Sequence, residues 1–161
     1  MNNKVRGLLN EQIAKEFESG YLYLNMAAMC EARGLKGIAH WYRVQAEEEK
    51  EHAMIIFNYL LDEGEKVELG TLYMPDHSCS TLKEIFTEAL QHEQYITETI
   101  NNIYDAAEDE GDYRTMRFLD WFITEQAEEE RNAKDNLDLL SLAGNCNCVL
   151  MEIDERLGER K

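Results

Sequence analysis

Glu49 and His52 lie three residues apart in the run Gln45-Ala-Glu-Glu-Glu-Lys-Glu-His52. On a helix, the Glu-x-x-His spacing places a carboxylate and an imidazole on one face, where both can bind the same metal ion. Carboxylate oxygens with one imidazole suit iron, whereas a structural zinc site favours Cys and His. The pair alone is a weak signal, because acidic runs are usually solvated helix faces and this spacing arises often by chance.

The signal gains weight because every long helical segment carries a polar interruption in its apolar stripe. In the first segment, Leu9, Ile13 and Leu24 are assigned to the stripe by i, i+3, i+4, i+7 spacing. The interruptions lie near mid-helix, so antiparallel packing would bring them to one depth. Buried anions are costly unless they are protonated or neutralised by a cation. The residues that we expect to converge are Glu16, Glu49 with His52, Glu93, and Gln126 with Glu129.

The helices that carry these residues can be placed from their end signals. Thr81-Leu-Lys-Glu84 has the form of a capping box, and Asp112 is a good N-cap. Glycines suited to left-handed C-terminal caps follow the long segments: Gly34, Gly64, Gly111 and Gly144. The predicted helices span about 4–33, 37–63, 81–110 and 113–143, with a short fifth helix at about 149–157.

One connection is long. Residues 65–80 include Pro75, across which no helical pattern continues. Fully extended, this segment reaches ~50 Å, and a 28-residue helix measures ~42 Å, so the second and third helices can run parallel. Two antiparallel hairpins joined by one long crossover form the ferritin-like arrangement of four-helix bundles. We therefore predict one all-α domain over 1–161, whose fifth helix packs on the bundle or on a neighbouring subunit.

Charge and composition exclude several functions. The net charge is −17, which repels nucleic acid and anionic membranes and attracts cations. No apolar stretch reaches the ~20 residues of a membrane span, and residues 1–10 lack a signal-peptide core, so cytoplasmic residence is expected. Four scattered cysteines indicate free thiols. Cys146-Asn-Cys148 has no second pair nearby and is a weak candidate for a metal site.

The sequence resembles the prokaryotic non-haem ferritins over essentially its whole length. The matching stretches occur in the order and spacing of that family: Leu9-Asn-Glu-Gln-Ile-Ala-Lys-Glu16, Tyr21-Leu-Tyr23, Gln45–His52, His92-Glu93-Gln94 and Glu125-Gln-Ala-Glu-Glu-Glu130. The resemblance implies a di-iron centre. It assigns the first iron to Glu16, Glu49 and His52, and the second iron to Glu49 as a bridge and Glu93, with Gln126 and Glu129 beside it.

The resemblance also implies roles outside the iron pair. Tyr23 matches the tyrosine beside the di-iron centre, where it would supply an electron or stabilise an intermediate, and Trp121 matches a nearby aromatic position. Haem is not expected, because Lys50 stands where bacterioferritins carry their haem-ligating methionine. A third, outer iron site is assigned to Glu48, Glu125, Glu128 and Glu129.

By this resemblance the chain is an iron-storage subunit and a ferroxidase. It would oxidise Fe(II) with dioxygen or hydrogen peroxide and keep the Fe(III) mineral inside a homo-oligomeric shell of roughly 24 subunits. Bacterioferritins and rubrerythrins usually repeat Glu-x-x-His on the fourth helix, whereas this chain has Gln126-x-x-Glu129. Lacking the second histidine, the site suits iron in transit. Two alternatives stay open: a di-iron oxidase or peroxidase that stores nothing, and a structural bundle whose inward glutamates are protonated or water-bridged.

Overall fold

The computed structural model describes residues 1–73 and 78–161, so the predicted break at Pro75 lies outside the described residues. The described part of the chain is all-α, as predicted. Its helices, numbered in chain order, are α1 (Asn3–Ala32), α2 (Lys36–Asp62), α3 (Leu82–Asp109), α4 (Tyr113–Ala143) and α5 (Asn147–Leu157).

The helix ends follow the local signals in the sequence. The capping box is formed, because the Thr81 hydroxyl accepts from the Glu84 N–H and the Glu84 carboxylate accepts from the Thr81 N–H. The Asp112 carboxylate caps α4 by accepting from the Thr115 N–H. The glycines after the long helices all have positive φ, which a residue with a Cβ adopts only with strain: Gly34, Gly64, Gly111 and Gly144.

Two hydrophobic clusters fill the bundle, one toward each end. We call the cluster containing Met26, Tyr42 and Phe86 the upper core, and the one containing Ile13 and Ile56 the lower core. Along the sequence, α1 and α4 pass from the lower core to the upper one, whereas α2 and α3 pass from the upper core to the lower one. Helices α2 and α3 therefore run parallel, as the length of the crossover allowed.

The predicted polar residues lie where each helix passes between the two cores. Glu49 and His52 fall between Ala46 of the upper core and Ala53 of the lower core. Glu93 falls in the same way between Ala89 and Ile96 of α3. The bundle thus has a buried polar layer at mid-height, closed above and below by apolar side chains.

Helix α1 approaches α2 closely at Gly20. A Cβ at this position would lie 3.0 Å from the backbone oxygen of Ala46 and 3.6 Å from Cβ of Glu49. The contact explains a glycine inside a helix, where it costs about 1 kcal/mol relative to alanine. The assignment of Leu24 to the core was wrong, because Leu24 is 47% exposed. The inward face runs through Gly20 and Tyr23, and Leu24 lies about 100° further round the helix.

Helix α5 packs on α2 and α4 of its own chain. The Asp154 carboxylate accepts a 2.8 Å hydrogen bond from the Ile38 N–H in the first turn of α2. A Cβ at Gly37 would lie only 1.7 Å from the Asp154 backbone oxygen, so this contact requires glycine. None of the helices in the described ranges combines the length and the apolar character needed to cross a bilayer.

Candidate metal centre

Three of the predicted ligands meet in the polar layer. Glu16 of α1 and Glu49 and His52 of α2 each bring one ligand atom within 4.8 Å of the others, and all three are buried. His52 Nδ1 lies 3.4 Å from Glu49 Oε2, one helical turn away. The approach of α1 at Gly20 sets the distance between Glu16 and the α2 pair. This group has the donor set of an iron site: two carboxylates and an imidazole.

A second group shares His52. Its other members are Glu125 and Glu129 of α4, with ligand atoms again within 4.8 Å of one another. Glu129 is buried, and Glu125 is half-buried toward the surface. Within the described residues, the structure therefore holds two adjacent three-residue groups that share His52. The first lies in the bundle interior, and the second extends from it toward the surface.

Glu93 is buried on α3 but belongs to neither group. The Tyr23 hydroxyl donates a short hydrogen bond to Glu93 Oε1, and Gln126 Nε2 donates to Glu93 Oε2 at 3.2 Å. Tyr23 and Gln126 thus hold the carboxylate that the resemblance assigned to the second iron. The ring of Tyr42 stacks on Tyr23 with centroids 5.8 Å apart, which restricts where the phenol can move.

Two of the outer-site predictions fall outside both groups. Glu48 is bound by the guanidinium of Arg160, and Glu128 is exposed on α4. Only Glu125 and Glu129 of the four predicted outer residues share a group. Trp121 lies near the centre as predicted, with its ring 5.5 Å from that of His52 and edge-on to it.

A supporting layer of glutamines was missed at the sequence level. Gln12 Nε2 donates to Glu16 Oε1 at 2.8 Å. Gln45 Nε2 donates to Glu49 Oε1 at 3.1 Å and to Glu129 Oε2 at 2.8 Å. Both glutamines precede a glutamate of the first group by four residues, the spacing that stacks side chains on one helix face. That repeated Gln-x-x-x-Glu pattern was the signal that could have found them.

Burial dominates the electrostatics of the centre. It raises the pKa of Glu16, Glu49, Glu93 and Glu129 from 4.5 to about 8 in each case. The neighbouring carboxylates contribute to the same rise, since like charges at short range disfavour ionisation. The same burial, followed by the charge of Glu93, raises the pKa of Tyr23 well above its ordinary value. At neutral pH the centre therefore holds protons that a bound cation would displace.

One carboxylate oxygen is left without a protein partner. Among the described residues, the buried side-chain atoms that make no hydrogen bond are Gln12 Oε1 and Glu16 Oε2. An unsatisfied buried acceptor costs about 1–3 kcal/mol. A cation held with Glu49 and His52 would satisfy the Glu16 oxygen, so the residues present fit a metal ion.

A small cavity adjoins the centre on the side of the upper core. Its volume is about 20 Å³, and its lining includes Tyr23, Gln45, Glu93 and Glu129. A space of about 10–15 Å³ on this measure already holds one water. The cavity can therefore hold a water-sized reactant against the phenol and two of the carboxylates.

Fold and site together define a helical bundle with a carboxylate-rich metal centre in its interior. The profile of the ferritin-like domain matches residues 6–143. The chain belongs to the ferritin family.

Individual relatives agree over nearly the full length. The chain is 41% identical over 149 residues to the bacterial non-heme ferritin of Escherichia coli O6:H1, covering 92% of this chain and 90% of that protein. It is 34% identical over 152 residues to the bacterial non-heme ferritin of a Staphylococcus epidermidis strain, covering 94% and 92%. The open-pore ferritin of Archaeoglobus fulgidus superposes with a TM-score of 0.98 at 35% identity, covering 100% of this chain and 99% of that one.

Proposed function

We propose that this chain is an iron-storage ferritin subunit that oxidises Fe(II) at a di-iron centre inside each subunit. The observation that carries this function is the buried group of Glu16, Glu49 and His52 between two apolar cores. Protonated carboxyls would satisfy burial, because Glu16 and Glu49 lie close enough to hydrogen-bond to each other, but they would not account for the imidazole of His52 in the same group. A cation accounts for the ligand types, the unpaired oxygen and the raised carboxyl pKa values together.

The chain's own residues divide the work of oxidation. Glu16, Glu49 and His52 hold the first Fe(II), and Glu49 bridges to the second, which Glu93 binds with Gln126 and Glu129 beside it. Two ferrous ions together give two electrons, which with two protons reduce dioxygen to hydrogen peroxide or hydrogen peroxide to two waters. The ferric product then hydrolyses with release of protons. The carboxyls that lost protons on metal binding can take some of them back as Fe(III) leaves. Tyr23 holds Glu93 in place by its hydrogen bond. Its phenol also lines the small cavity, so it can stabilise an oxidant bound there.

The second group of candidate ligands supports an outer iron site. Glu125 and Glu129 share His52 with the inner group, so iron can pass between the two groups without leaving protein ligands. Glu48 and Glu128 complete the predicted outer set from the surface side. Helix α4 contributes no histidine to the polar layer. The second iron is therefore held by hard oxygen ligands, which suit a ferric product that leaves the site.

Storage requires assembly. We propose a homo-oligomeric cytoplasmic shell of 24 subunits with ferric mineral inside, acting on neither nucleic acid nor membranes. The charge of −17 per chain supports this function, because acidic surfaces raise the local concentration of Fe(II) and repel anionic polymers. No haem role is proposed, since Lys50 occupies the position after Glu49 and pairs with Glu47 at 3.2 Å.

The test combines particle mass with iron content after aerobic loading with Fe(II). A storage ferritin gives a cage that holds far more iron than two atoms per chain, whereas a non-storing oxidase stops at its site occupancy. Anaerobic Fe(II) titration separates the structural-bundle alternative, which predicts no tight binding. The double variant Glu49→Ala and His52→Ala should abolish tight binding, while Glu47→Ala, an exposed control on the same helix, should bind as the wild type does.

A further inference from the structure

The C-terminal end of the chain returns to the metal centre along α2. After α5, Gly158 passes so close to α2 that a Cβ there would lie 3.0 Å from Cα of Gly37. The His40 Nε2 then lies 2.8 Å from the backbone oxygen of Arg160. These contacts fix the backbone near the end of the chain against the first turns of α2, so the side chain of Arg160 extends toward the middle of that helix.

The guanidinium of Arg160 lies over three residues of one α2 face. It stacks on Trp41 with its central carbon 4.0 Å from the ring centroid. The terminal nitrogen Nη1 donates to Gln45 Oε1 at 2.8 Å, and the second terminal nitrogen, Nη2, donates to the carboxylate of Glu48. The Arg160 side chain is 13% exposed and that of Glu48 is 37% exposed. The ion pair of Arg160 and Glu48 thus lies at the rim of the centre, where the guanidinium is largely shielded from solvent and the carboxylate is partly exposed.

Arg160 also determines which way the Gln45 amide faces. Because Gln45 Oε1 accepts from Arg160, the amide nitrogen must face the opposite side, where it donates to Glu49 Oε1 and Glu129 Oε2. An amide turned around would place its N–H₂ against the guanidinium, which has no acceptor, and that contact would be repulsive. One arginine therefore orders carboxylates on two helices through one glutamine.

We propose that Arg160 is a positioning residue whose guanidinium is displaced by metal. It stays paired with the Glu48 carboxylate until a metal ion reaches the outer site. Its release then frees the Gln45 amide from Glu49 and Glu129. The proposal rests on the proposed function and assigns a regulator to the same centre. It is consistent with the position of Glu48 outside the second ligand group, since Arg160 holds its carboxylate. Outer and inner sites are then coupled through residues of α2 and the C-terminus.

The coupling has a direct physical basis. Arg160 and a divalent cation compete for one carboxylate, so each weakens the binding of the other. When the guanidinium moves away, Gln45 Oε1 loses its donor and the amide can rotate. Glu129 then loses the hydrogen bond that holds it, and its oxygen becomes available to metal. Glu49, the inner ligand that accepts from the same amide, also loses its donor, so an ion at the outer site would loosen a ligand of the inner one. This favours passage of iron over permanent binding.

Calorimetric titration of the assembled, metal-free protein with Zn(II), a redox-inert probe, tests the competition. We expect Arg160→Gln to bind the weakest class of Zn(II) about tenfold more tightly than wild type, because Glu48 no longer has a competing cation. The matched control is Arg156→Gln, which removes the same charge from the exposed side of α5. Equal affinity of Arg160→Gln and Arg156→Gln for the weak class would overturn the proposal.

A double-mutant cycle distinguishes local competition from a general charge effect. In a Glu48→Gln background the further change Arg160→Gln should tighten the weak class by much less than tenfold, since the competed carboxylate is gone and only the release of Glu129 by Gln45 remains. A tenfold tightening that persists in that background would show that net charge alone acts, and the proposal would fail. The proposed function fails separately, if wild type binds no Zn(II) and no Fe(II) at Glu16, Glu49 and His52.

A crystal structure of the cage soaked anaerobically in Fe(II) would show directly where Arg160 and Gln45 lie when metal is bound. With metal at the outer site, we expect the Arg160 guanidinium to have left Glu48 and the Gln45 amide to have left Glu129. A metal ion bound by Glu48 while Arg160 keeps both contacts would contradict the displacement. Arg160→Lys provides a further comparison, because lysine keeps the charge but lacks the planar fork that reaches Gln45 and Glu48 together.

Discussion

The Tyr23 hydroxyl donates a hydrogen bond to Glu93 and so ties α1 to α3 across the bundle, 70 residues apart in sequence. The phenol therefore holds a carboxylate that belongs to neither three-residue metal group. Because the hydrogen bond favours the ionised form, it lowers the pKa of Glu93 against the dominant effect of burial, which raises it to about 8. Tyr23 thus keeps Glu93 both oriented and more ready to bind a cation.

Replacing this tyrosine should slow oxidation without changing the fold. We expect Tyr23→Phe to lower the rate of Fe(II) oxidation about tenfold, since a lost hydrogen bond to a charged group is worth about 1.5–3 kcal/mol. Stopped-flow absorbance on the assembled cage measures the rate. Tyr59→Phe removes a hydroxyl that bonds Thr115 at the far end of the bundle and should oxidise Fe(II) normally. Wild-type kinetics in Tyr23→Phe would remove this residue from the mechanism.

The buried carboxyls predict how stability depends on pH. The unfolded chain loses these protons near pH 4.5, whereas the folded, metal-free protein keeps them up to about pH 8. The folded state binds more protons between these values, so stability should be highest below pH 4.5 as far as these groups are concerned and fall as the pH rises to 8. Bound metal should suppress the fall, with protons released as it binds.

A single substitution isolates the effect. At pH 8, Glu16→Gln should stabilise the metal-free protein by about 2 kcal/mol, because it removes a buried charge, while leaving stability near pH 4.5 almost unchanged. Thermal unfolding at equal chain concentration measures it. Glu11→Gln, on the exposed side of α1, is the control and should show no such pH dependence. Stability of Glu16→Gln that tracks wild type across this pH range would count against a strained carboxyl layer.

The close contact of α1 and α2 predicts opposite effects for two glycines of one helix. Gly7→Ala should stabilise by about 0.5–1 kcal/mol, because alanine favours the helix and its Cβ would meet no atom of the described residues within 4 Å. Gly20→Val should destabilise by about 2 kcal/mol or more, because its Cβ would press on Ala46 beside Glu49. It should also weaken Zn(II) binding by separating Glu16 from Glu49. Urea unfolding measures the stability of the two variants, and calorimetry measures their Zn(II) binding. Equal stability and equal Zn(II) affinity of the two variants would contradict the close contact at Gly20.

The outer glutamates should differ in importance. Glu125 lies within a ligand group with His52 and Glu129, whereas Glu128 is exposed and outside it. We expect Glu125→Gln to slow the turnover of iron about tenfold and Glu128→Gln to slow it less than threefold, since only the former loses a ligand near His52. Repeated Fe(II) additions to one sample measure turnover. Matching losses in both variants would mean that the exposed residue binds metal as closely as the half-buried one.

The sequence predicted the parts of this protein that depend on near neighbours. Caps at Thr81 and Asp112 follow from residues one turn apart, and Glu49 with His52 follows from helical spacing. The coincidence of polar interruptions at mid-helix correctly indicated that Glu16 joins this pair. The prediction that Leu24 is in the core was wrong. A stripe of apolar residues on a long helix is compatible with either of two neighbouring faces being buried, and only the close approach of α2 at Gly20 selects one of them.

Contacts between distant segments were decided by the tertiary structure alone. Gln45 and Arg160 lie 115 residues apart, and no local pattern pairs them. Their contact exists because glycines 37 and 158 let α5 settle on the start of α2, which directs one side chain along that helix. Periodicity determines which face of a helix is buried, whereas the rotation and docking of whole helices determine which side chains on those faces meet.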